Sequence, residues 1–280
     1  MKNTISIRKT AIRDILARQR EYWNTLGQAI PDDVAANHWV TAEGRPLAGE
    51  LFSEIAEFLA NEFLAGKEAG SVLEVGCGNG LILKRLSDWA GDGWHFYGVD
   101  LSEAMLARTV AERATLYCTD ATSIPCPDRS IDLVYLHSVV QYFETEEYLG
   151  RVIAECSRLL KLGGALCLMD VPIKWYMDLM SSDHWISRLK RGAKKAAPRV
   201  AQAWSRLAPA RARGYEKVGS QTLCVPLFQG LYVDPDYFQR YESAFEKISI
   251  EIQRFPSKPV SYRKFRFNIA LRGKRETGSA

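Results

Sequence analysis

The sequence predicts a doubly wound α/β fold, in which helices cover a mostly parallel sheet. Two observations carry this prediction. From residue 71 to residue 171, short apolar segments alternate with amphipathic helical segments, as is typical of a parallel sheet wrapped by helices. The stretch SVLEVGCGNG, residues 71–80, places three glycines between the first apolar segment and the next helix, where such folds bind nucleotide-like ligands.

Residues 1–66 are predicted to form an N-terminal helical cover. Apolar residues recur at helical spacing over residues 8–26 and 47–65, and a polar loop marked by Gly and Pro separates the two segments. Residues 67–171 form the predicted core. Its strands, in chain order, are SVLEV, WHFYGVD, TLYCTD, IDLVYL and GALCLMDV.

The alternation breaks after the fifth strand. Residues 172–243 hold several aromatic residues among many basic ones, and we expect a helical lid insertion there, beside the substrate. Residues 244–275 contain the segments ISIEIQRF and RKFRFNIALRG, which are predicted to be two final strands that complete the core sheet.

The composition narrows the function classes. A formal net charge of +4 on 280 residues is too small to indicate nucleic-acid binding. No stretch reaches the roughly 18 apolar residues of a membrane span, and the basic N-terminus lacks the apolar run of a secretory signal. The six cysteines form no CxxC pair, which predicts reduced thiols in a cytoplasmic protein and no metal site.

Residues 188–217 contain ten Lys or Arg residues and one Glu. Three interpretations remain open: a solvated helical face, a contact for a phosphorylated or glycan-linked acceptor, or peripheral attachment to an anionic membrane surface. Nucleic acid is the least favoured partner, because the pattern of stacking aromatics used by single-strand readers is missing. The sequence does not indicate an oligomeric state.

The glycine-rich turn allows a ligand to approach the backbone closely, because glycine has no Cβ and tolerates positive φ. The dinucleotide fingerprint needs a third glycine where this chain has Leu81, and Glu74 precedes the first glycine by two residues. Both departures point away from a diphosphate ligand. Asp100 ends the second strand, where a carboxylate can accept hydrogen bonds from both ribose hydroxyls.

Four motifs, in order and at suitable spacing, resemble those of the class I S-adenosylmethionine-dependent methyltransferases, in the small-molecule branch of methyltransferase types 11 and 12. They are VLEVGCGNG, GVDLSEAML, CTDATSIPCPDRSIDLVYLHSVVQYF and RLLKLGGALCLMD. The resemblance implies a sheet of seven strands with a reversed last strand. It also implies S-adenosyl-L-methionine as the cofactor and S-adenosyl-L-homocysteine as the product.

The same resemblance implies the residues that bind the cofactor, which are Glu74, Gly76, Cys77, Gly78, Gly80, Asp100, Leu101, Met105, Asp120, Ala121 and His137. Glu74 would approach the amino group of the methionine moiety, and Asp100 would hold the ribose hydroxyls. Leu101 and Met105 would flank the adenine, while Asp120 would accept from its amino group. The alternatives are a plain core position for Met105 and a turn-capping role for Asp120.

His137 and Asp170 are the candidate catalytic residues, because each ends a strand at the edge where open α/β sheets bind ligands. His137 could remove the proton of a hydroxyl acceptor, or it could shape the cofactor site. Asp170 could orient a histidine, bind a substrate hydroxyl or stabilise a turn. Tyr142 departs from the family pattern, in which many relatives carry a histidine at this position.

These features predict methyl transfer to a small molecule, and more specifically O-methylation of a sugar or glycan precursor in polysaccharide or secondary-metabolite biosynthesis. Two alternatives stay open: a lipid, quinone or phospho-amine acceptor at the inner face of a membrane, and a cofactor-binding module without turnover. The leading segment, with Tyr22, Trp23, His38 and Trp39, is expected to fold over the methyl donor or else to pack on the sheet.

Overall fold

The computed structural model describes residues 16–28, 49–174, 215–218, 221–224, 231–252 and 266–276. The helices are α1 over residues 16–28, α2 Gly49–Leu59, α3 Leu81–Trp89, α4 Glu103–Leu106 and α5 Glu146–Leu159. A π-helical turn, Ala60–Leu64, continues α2, and 3₁₀ helices span Val140–Tyr142 and Pro235–Tyr241. The strands are β1 Gly70–Val75, β2 Trp94–Asp100, β3 Ala114–Cys118, β4 Ile131–His137, β5 Leu160–Pro172, β6 Tyr215–Val218, β7 Gln221–Cys224, β8 Phe245–Ile252 and β9 Arg266–Lys274.

Seven of the strands form one sheet in the order β3-β2-β1-β4-β5-β9-β8. The strands from β1 to β5 run parallel, and β9 lies antiparallel between β5 and β8. The predicted fold class and the reversed last strand are confirmed. The strand order reverses between β1 and β4, and ligands of open α/β sheets bind outside the strand ends at such a switch point.

Two hydrophobic clusters, one on each face, hold the sheet between its helices. One contains buried residues of α2 and α3, such as Leu59 and Leu83, and the other contains residues of α5, such as Val152 and Ile153. The sequence of α5 favours this helix, because Thr145 caps its N-terminus by accepting a hydrogen bond from the backbone N–H of Tyr148. The core positions the carboxyl ends of β1, β2 and β4 beside one another.

The described part of the predicted helical lid, residues 172–243, contains strands as well as the 3₁₀ helix Pro235–Tyr241. β6 and β7 pair as an antiparallel two-stranded sheet, β5 extends to Pro172, and Ile173 forms a bridge with Val233. The sequence signal was available, since Gly219-Ser220 between two short segments is a hairpin connection of minimal length. The basic residues from 188 to 214 lie outside the described residues.

The described helices include none with the length and apolar character needed to cross a bilayer. Five cysteines lie where the structure describes the side chains, and all five are free thiols. Four of them are buried, and Cys118 is exposed. Within the described residues, no group of His, Cys, Asp and Glu side chains is arranged to hold a metal ion.

Candidate functional site

A cavity opens at the carboxyl ends of β1, β2 and β4, at the switch point of the sheet. Its walls come from the glycine-rich turn, the ends of these strands, the segment after β4 and two covering helices. Its lining residues include Gln19, Trp23, Glu74, Gly76, Cys77, Gly78, Asp100, Leu101, Met105, Ala121, His137, Ser138, Val139, Tyr142 and Tyr148. The cavity therefore gathers residues that lie more than 100 positions apart in the chain.

The glycine-rich turn needs glycine for two separate steric reasons. Gly76 has φ of 76°, and a Cβ added there would lie 2.4 Å from a methyl carbon of Val139. Gly80 has φ of 75°, and an added Cβ would lie 2.9 Å from the side chains of Thr109 and Ala111. Gly76 thus lets the segment after β4 approach the cavity wall, whereas Gly80 packs against a loop and does not line the cavity.

Asp100 joins the end of β2 to the glycine-rich turn. One carboxylate oxygen accepts a hydrogen bond from the Gly78 backbone N–H at 2.8 Å, and the other accepts from the Ser102 N–H at 2.9 Å. Burial raises the pKa of Asp100 above its ordinary value, and these backbone donors partly oppose the shift. The carboxylate lines the cavity with lone pairs to spare, so it can accept hydrogen bonds from a ligand's hydroxyls.

Glu74, near the end of β1, is a buried acid in the cavity wall. It is 3% exposed, and the Tyr135 hydroxyl on β4 donates a hydrogen bond to its Oε2 at 3.0 Å. Burial raises the pKa of Glu74 to about 8, and the neighbouring Asp100 adds to this effect. A buried acid of this kind favours a cationic or hydrogen-bond-donating ligand group, which would stabilise its ionised form.

The residues after β2 and β3 complete the opposite wall. Ser102 caps α4 by accepting a hydrogen bond from the Met105 backbone N–H, and this turns Leu101 and Met105 toward the cavity. Ala121 lines the cavity, but Asp120 does not. The Asp120 carboxylate accepts from the Thr122 N–H at 2.7 Å and from the hydroxyl of Tyr148 at 2.9 Å, so it stabilises its own turn.

His137 and Asp170 have different surroundings. His137 ends β4, is 8% exposed and lines the cavity. Asp170 is fully buried and does not line the cavity. The Ser138 hydroxyl donates to its carboxylate, and the Arg266 guanidinium lies 3.5 Å from the same oxygen. Asp170 therefore contacts the cavity lining through Ser138, and its own side chain is not part of that lining.

Helix α1 covers the cavity from outside. The Gln19 side-chain amide donates to the Tyr142 carbonyl oxygen at 2.6 Å, and the rings of Trp23 and Tyr142 meet edge to face with centroids 5.2 Å apart. The Asn24 side-chain oxygen accepts from the Ser102 hydroxyl at 2.8 Å and from a backbone N–H of α4 at 3.1 Å. Helix α1 lies within the segment predicted as the N-terminal cover, and His38 and Trp39 lie outside the described residues.

Of the eleven predicted cofactor residues, nine line one cavity, and Gly80 and Asp120 lie behind its walls. Sequence reasoning missed Gln19, Ser138 and Tyr135. Gln19 lies on α1 and belongs to none of the four motifs, while Ser138 lies inside the third motif, directly after His137. Tyr135 pairs with Glu74 in the register of β1 and β4, and this register cannot be derived from the spacing of a single chain.

Residues 73–168 match a family model described as "Methyltransferase domain". A dTDP-3-amino-3,4,6-trideoxy-alpha-D-glucopyranose N,N-dimethyltransferase of Streptomyces venezuelae is 31% identical over 146 residues, which cover 51% of this chain and 57% of that protein. The nonribosomal peptide synthetase TES of Alternaria alternata is 34% identical over 122 residues, which cover 40% of this chain and 2% of the synthetase. The chain thus spans little more than half the length of the first relative and a small part of the second.

A solved structure extends the similarity to the whole fold. The geranyl diphosphate C-methyltransferase of Streptomyces coelicolor A3(2), in complex with Mg²⁺, geranyl diphosphate and S-adenosyl-L-homocysteine, superposes with a TM-score of 0.55. The superposition covers 92% of this chain and 98% of that one, at 14% sequence identity. At this identity the comparison supports the architecture of the sheet and its flanking helices.

Proposed function

We propose that this chain, whose residues 73–168 form a class I S-adenosylmethionine-dependent methyltransferase domain, transfers a methyl group from S-adenosylmethionine to a small-molecule acceptor. One observation carries the proposal. Glu74 and Asp100, at the ends of neighbouring strands, line one cavity at the switch point of the sheet. The Asp100 carboxylate favours ribose hydroxyls and would repel a diphosphate, and the buried acid Glu74 favours an amino group, which would stabilise its ionised form.

The donor set fits the cofactor. Glu74 would accept from the amino group of the methionine moiety, and Asp100 would accept from the ribose hydroxyls. Leu101 and Met105 provide apolar surface for the adenine ring, with the Ala121 backbone N–H beside it. Gly76, Cys77 and Gly78 form the wall along which the cofactor would lie. Asp120 would not contact the cofactor, and would instead hold the turn that carries Ala121 in place.

The bound cofactor would supply a methyl group on a sulfonium centre, which is electrophilic without further activation. The chain then has to align an acceptor with this methyl group and exclude water. Gln19 and Trp23 of α1 close the cavity on the outer side, which serves water exclusion. His137 is the candidate base, and its imidazole would take the proton from a hydroxyl oxygen of the acceptor.

For the acceptor, we propose a hydroxyl of a sugar or glycan precursor. The similarity to a methyltransferase whose name specifies a nucleotide-linked amino sugar supports a sugar acceptor. The same name specifies N,N-dimethylation, and this favours a second candidate, the amino group of a nucleotide-linked sugar. A lipid, quinone or phospho-amine at a membrane is the third class, which the basic residues outside the described part of the chain favour.

Calorimetry with S-adenosyl-L-homocysteine tests the cofactor site. The native protein should bind it, and Asp100→Ala should weaken binding by about 2 kcal/mol, because a hydrogen-bonding carboxylate is removed. Lys84→Gln is the control, since the Lys84 side chain pairs with Asp88 on the surface of α3, away from the cavity lining. No binding by the native protein would remove methyl transfer from consideration, and unaltered affinity of the Asp100 variant would remove the assigned ribose contact.

Transfer of a labelled methyl group then tests the acceptor. Hexoses, nucleotide-linked hexoses and nucleotide-linked amino hexoses are compared with extracted lipids under the same conditions. Label in the hydroxyl sugars supports O-methylation, and label confined to amino sugars supports the second candidate. Label confined to lipids would overturn the sugar proposal, and binding without label in any class would favour a module without turnover.

A further inference from the structure

Tyr135 and Glu74 form a buried pair beside the cavity, which Glu74 lines. Their Cα positions lie opposite each other in the pairing of β1 with β4, and the Tyr135 hydroxyl donates to the Glu74 carboxylate at 3.0 Å. Tyr135 is fully buried and does not itself line the cavity. A tyrosine hydroxyl in the core usually has a hydrogen-bond partner, and here that partner is an acid of the candidate cofactor site.

Four elements surround the Glu74 carboxylate. Tyr135 approaches from β4, and the Leu83 backbone N–H donates to it from the first turn of α3, where the helix dipole also favours negative charge. Asp100 faces it from β2 and Cys77 from the glycine-rich turn, while His137 lines the same cavity at the end of β4. Both hydrogen-bond donors stabilise the ionised form, whereas Asp100 and burial oppose it.

We infer that Tyr135 is a positioning residue, which holds the Glu74 carboxylate in place for the cofactor's amino group by donating a hydrogen bond to it. This inference rests on the proposed function. Tyr135 acts through Glu74 and does not touch the cofactor. The hydroxyl fixes one carboxylate oxygen by its hydrogen bond, so the arriving ammonium group meets an acid whose orientation is already set.

The protonation state of Glu74 in the ligand-free protein decides how cofactor affinity changes with pH. With a pKa of about 8, Glu74 carries its proton in most molecules at neutral pH. Only roughly a tenth of them present the carboxylate at pH 7, and the apparent affinity for an ammonium-bearing ligand is reduced by that fraction. Affinity should therefore rise about tenfold per pH unit below pH 8, and fall again where the ligand's own amino group loses its proton.

Two commercially available ligands separate this effect from general damage to the site. S-adenosyl-L-homocysteine carries the amino group, whereas 5′-methylthioadenosine retains the adenosine and the sulfur but lacks the amino acid part. Both are titrated calorimetrically into the native protein, Tyr135→Phe and Glu74→Gln, from about pH 6 to about pH 9. Tyr237→Phe is the matched control, because it removes another buried hydroxyl, which donates to the Glu146 carbonyl at 2.9 Å, outside the cavity.

For the native protein, the affinity for S-adenosyl-L-homocysteine should rise with pH on the acidic side, while the affinity for 5′-methylthioadenosine should stay nearly flat. Tyr135→Phe should weaken S-adenosyl-L-homocysteine binding roughly tenfold at pH 7 and move the acidic limb to higher pH, because a hydrogen bond to the carboxylate is lost. Glu74→Gln should abolish the limb. Neither variant should change binding of 5′-methylthioadenosine, which also reports that the protein is folded.

Three results would overturn the inference. They are an unchanged pH profile of S-adenosyl-L-homocysteine binding in Tyr135→Phe, an equal weakening of both ligands in that variant, and an acidic limb that persists in Glu74→Gln. Each of these outcomes leaves cofactor binding by the native protein intact. Failure of the native protein to bind either ligand would instead refute the proposed function and, with it, the premise of the inference.

Discussion

The buried ion pair between Asp170 and Arg266 gives a sharp test of how the site edge is held. Asp170 is fully buried and Arg266 is 12% exposed, and their charged atoms lie 3.5 Å apart. Arg266 also donates to the Asp170 carbonyl oxygen at 2.8 Å. Removing one partner of a buried pair leaves a desolvated charge, which costs about 3–5 kcal/mol, while removing both charges avoids that penalty.

We expect Arg266→Gln to lower the free energy of unfolding by about 3 kcal/mol, at the lower end of this range, because the Ser138 hydroxyl still donates to Asp170. Asp170→Asn should cost a similar amount, since asparagine tolerates the φ of 63° found at this position. The double variant should lose at least about 2 kcal/mol less than the sum of the two single losses.

Urea unfolding monitored by tryptophan fluorescence measures this cycle, and Lys84→Gln is its control. Lys84 pairs with Asp88 on the surface of α3, where the two side chains are 46% and 56% exposed, so its loss should change stability by less than about 0.5 kcal/mol. Losses that simply add in the double variant would show that the two charges are uncoupled, and the structural role of Asp170 in holding the site edge would then be wrong.

Three further predictions address the other groups of the site. His137→Ala should lower kcat by about 10²–10⁴-fold on a hydroxyl acceptor and leave S-adenosyl-L-homocysteine affinity similar; an unchanged kcat would exclude His137 as the base. Gly76→Ala should destabilise the protein by about 1–3 kcal/mol in urea unfolding, and Val139→Ala should recover part of this loss, because the added Cβ would lie 2.4 Å from a Val139 methyl carbon. Glu74→Gln should stabilise the ligand-free protein by roughly 2–4 kcal/mol at pH 8 but not at pH 4. The pKa of Glu74 in the folded protein, about 8, exceeds the ordinary 4.5, so the native protein loses stability as the pH rises between these values. Equal effects of the substitution at both pH values would contradict this.

The order of elements through β5 could be predicted from the sequence, because each strand there is a short apolar run bounded by a turn or a helix. Ser102 and the glycine-rich turn are local signals, since a cap and a positive φ depend on residues a few positions away. The hairpin of β6 and β7 was missed because its strands are only four residues long and lie in a segment dominated by basic residues.

Asp120 and Asp170 show where such prediction stops. Asp120 follows the end of β3 by two residues, and Asp170 lies two residues before the end of β5. A distant partner decides the direction in which each carboxylate points. Tyr148 of α5 and the local turn occupy the carboxylate of Asp120, while Arg266 of β9 holds that of Asp170. These partners lie 28 and 96 residues away, so only the packed fold reveals that the two acids support the cavity from behind.

The contacts of α1 link water exclusion to the rest of the site. Asn24 accepts hydrogen bonds from the Ser102 hydroxyl and from the start of α4, and Gln19 donates to the Tyr142 carbonyl, so the helix spans both sides of the cavity mouth. Ser102 is also held by Asp100, the acid assigned to the ribose. A cofactor that binds Asp100 would therefore contact the same hydrogen-bond network that holds α1 over the cavity. Ribose binding and closure of the cavity by α1 then depend on one set of hydrogen bonds.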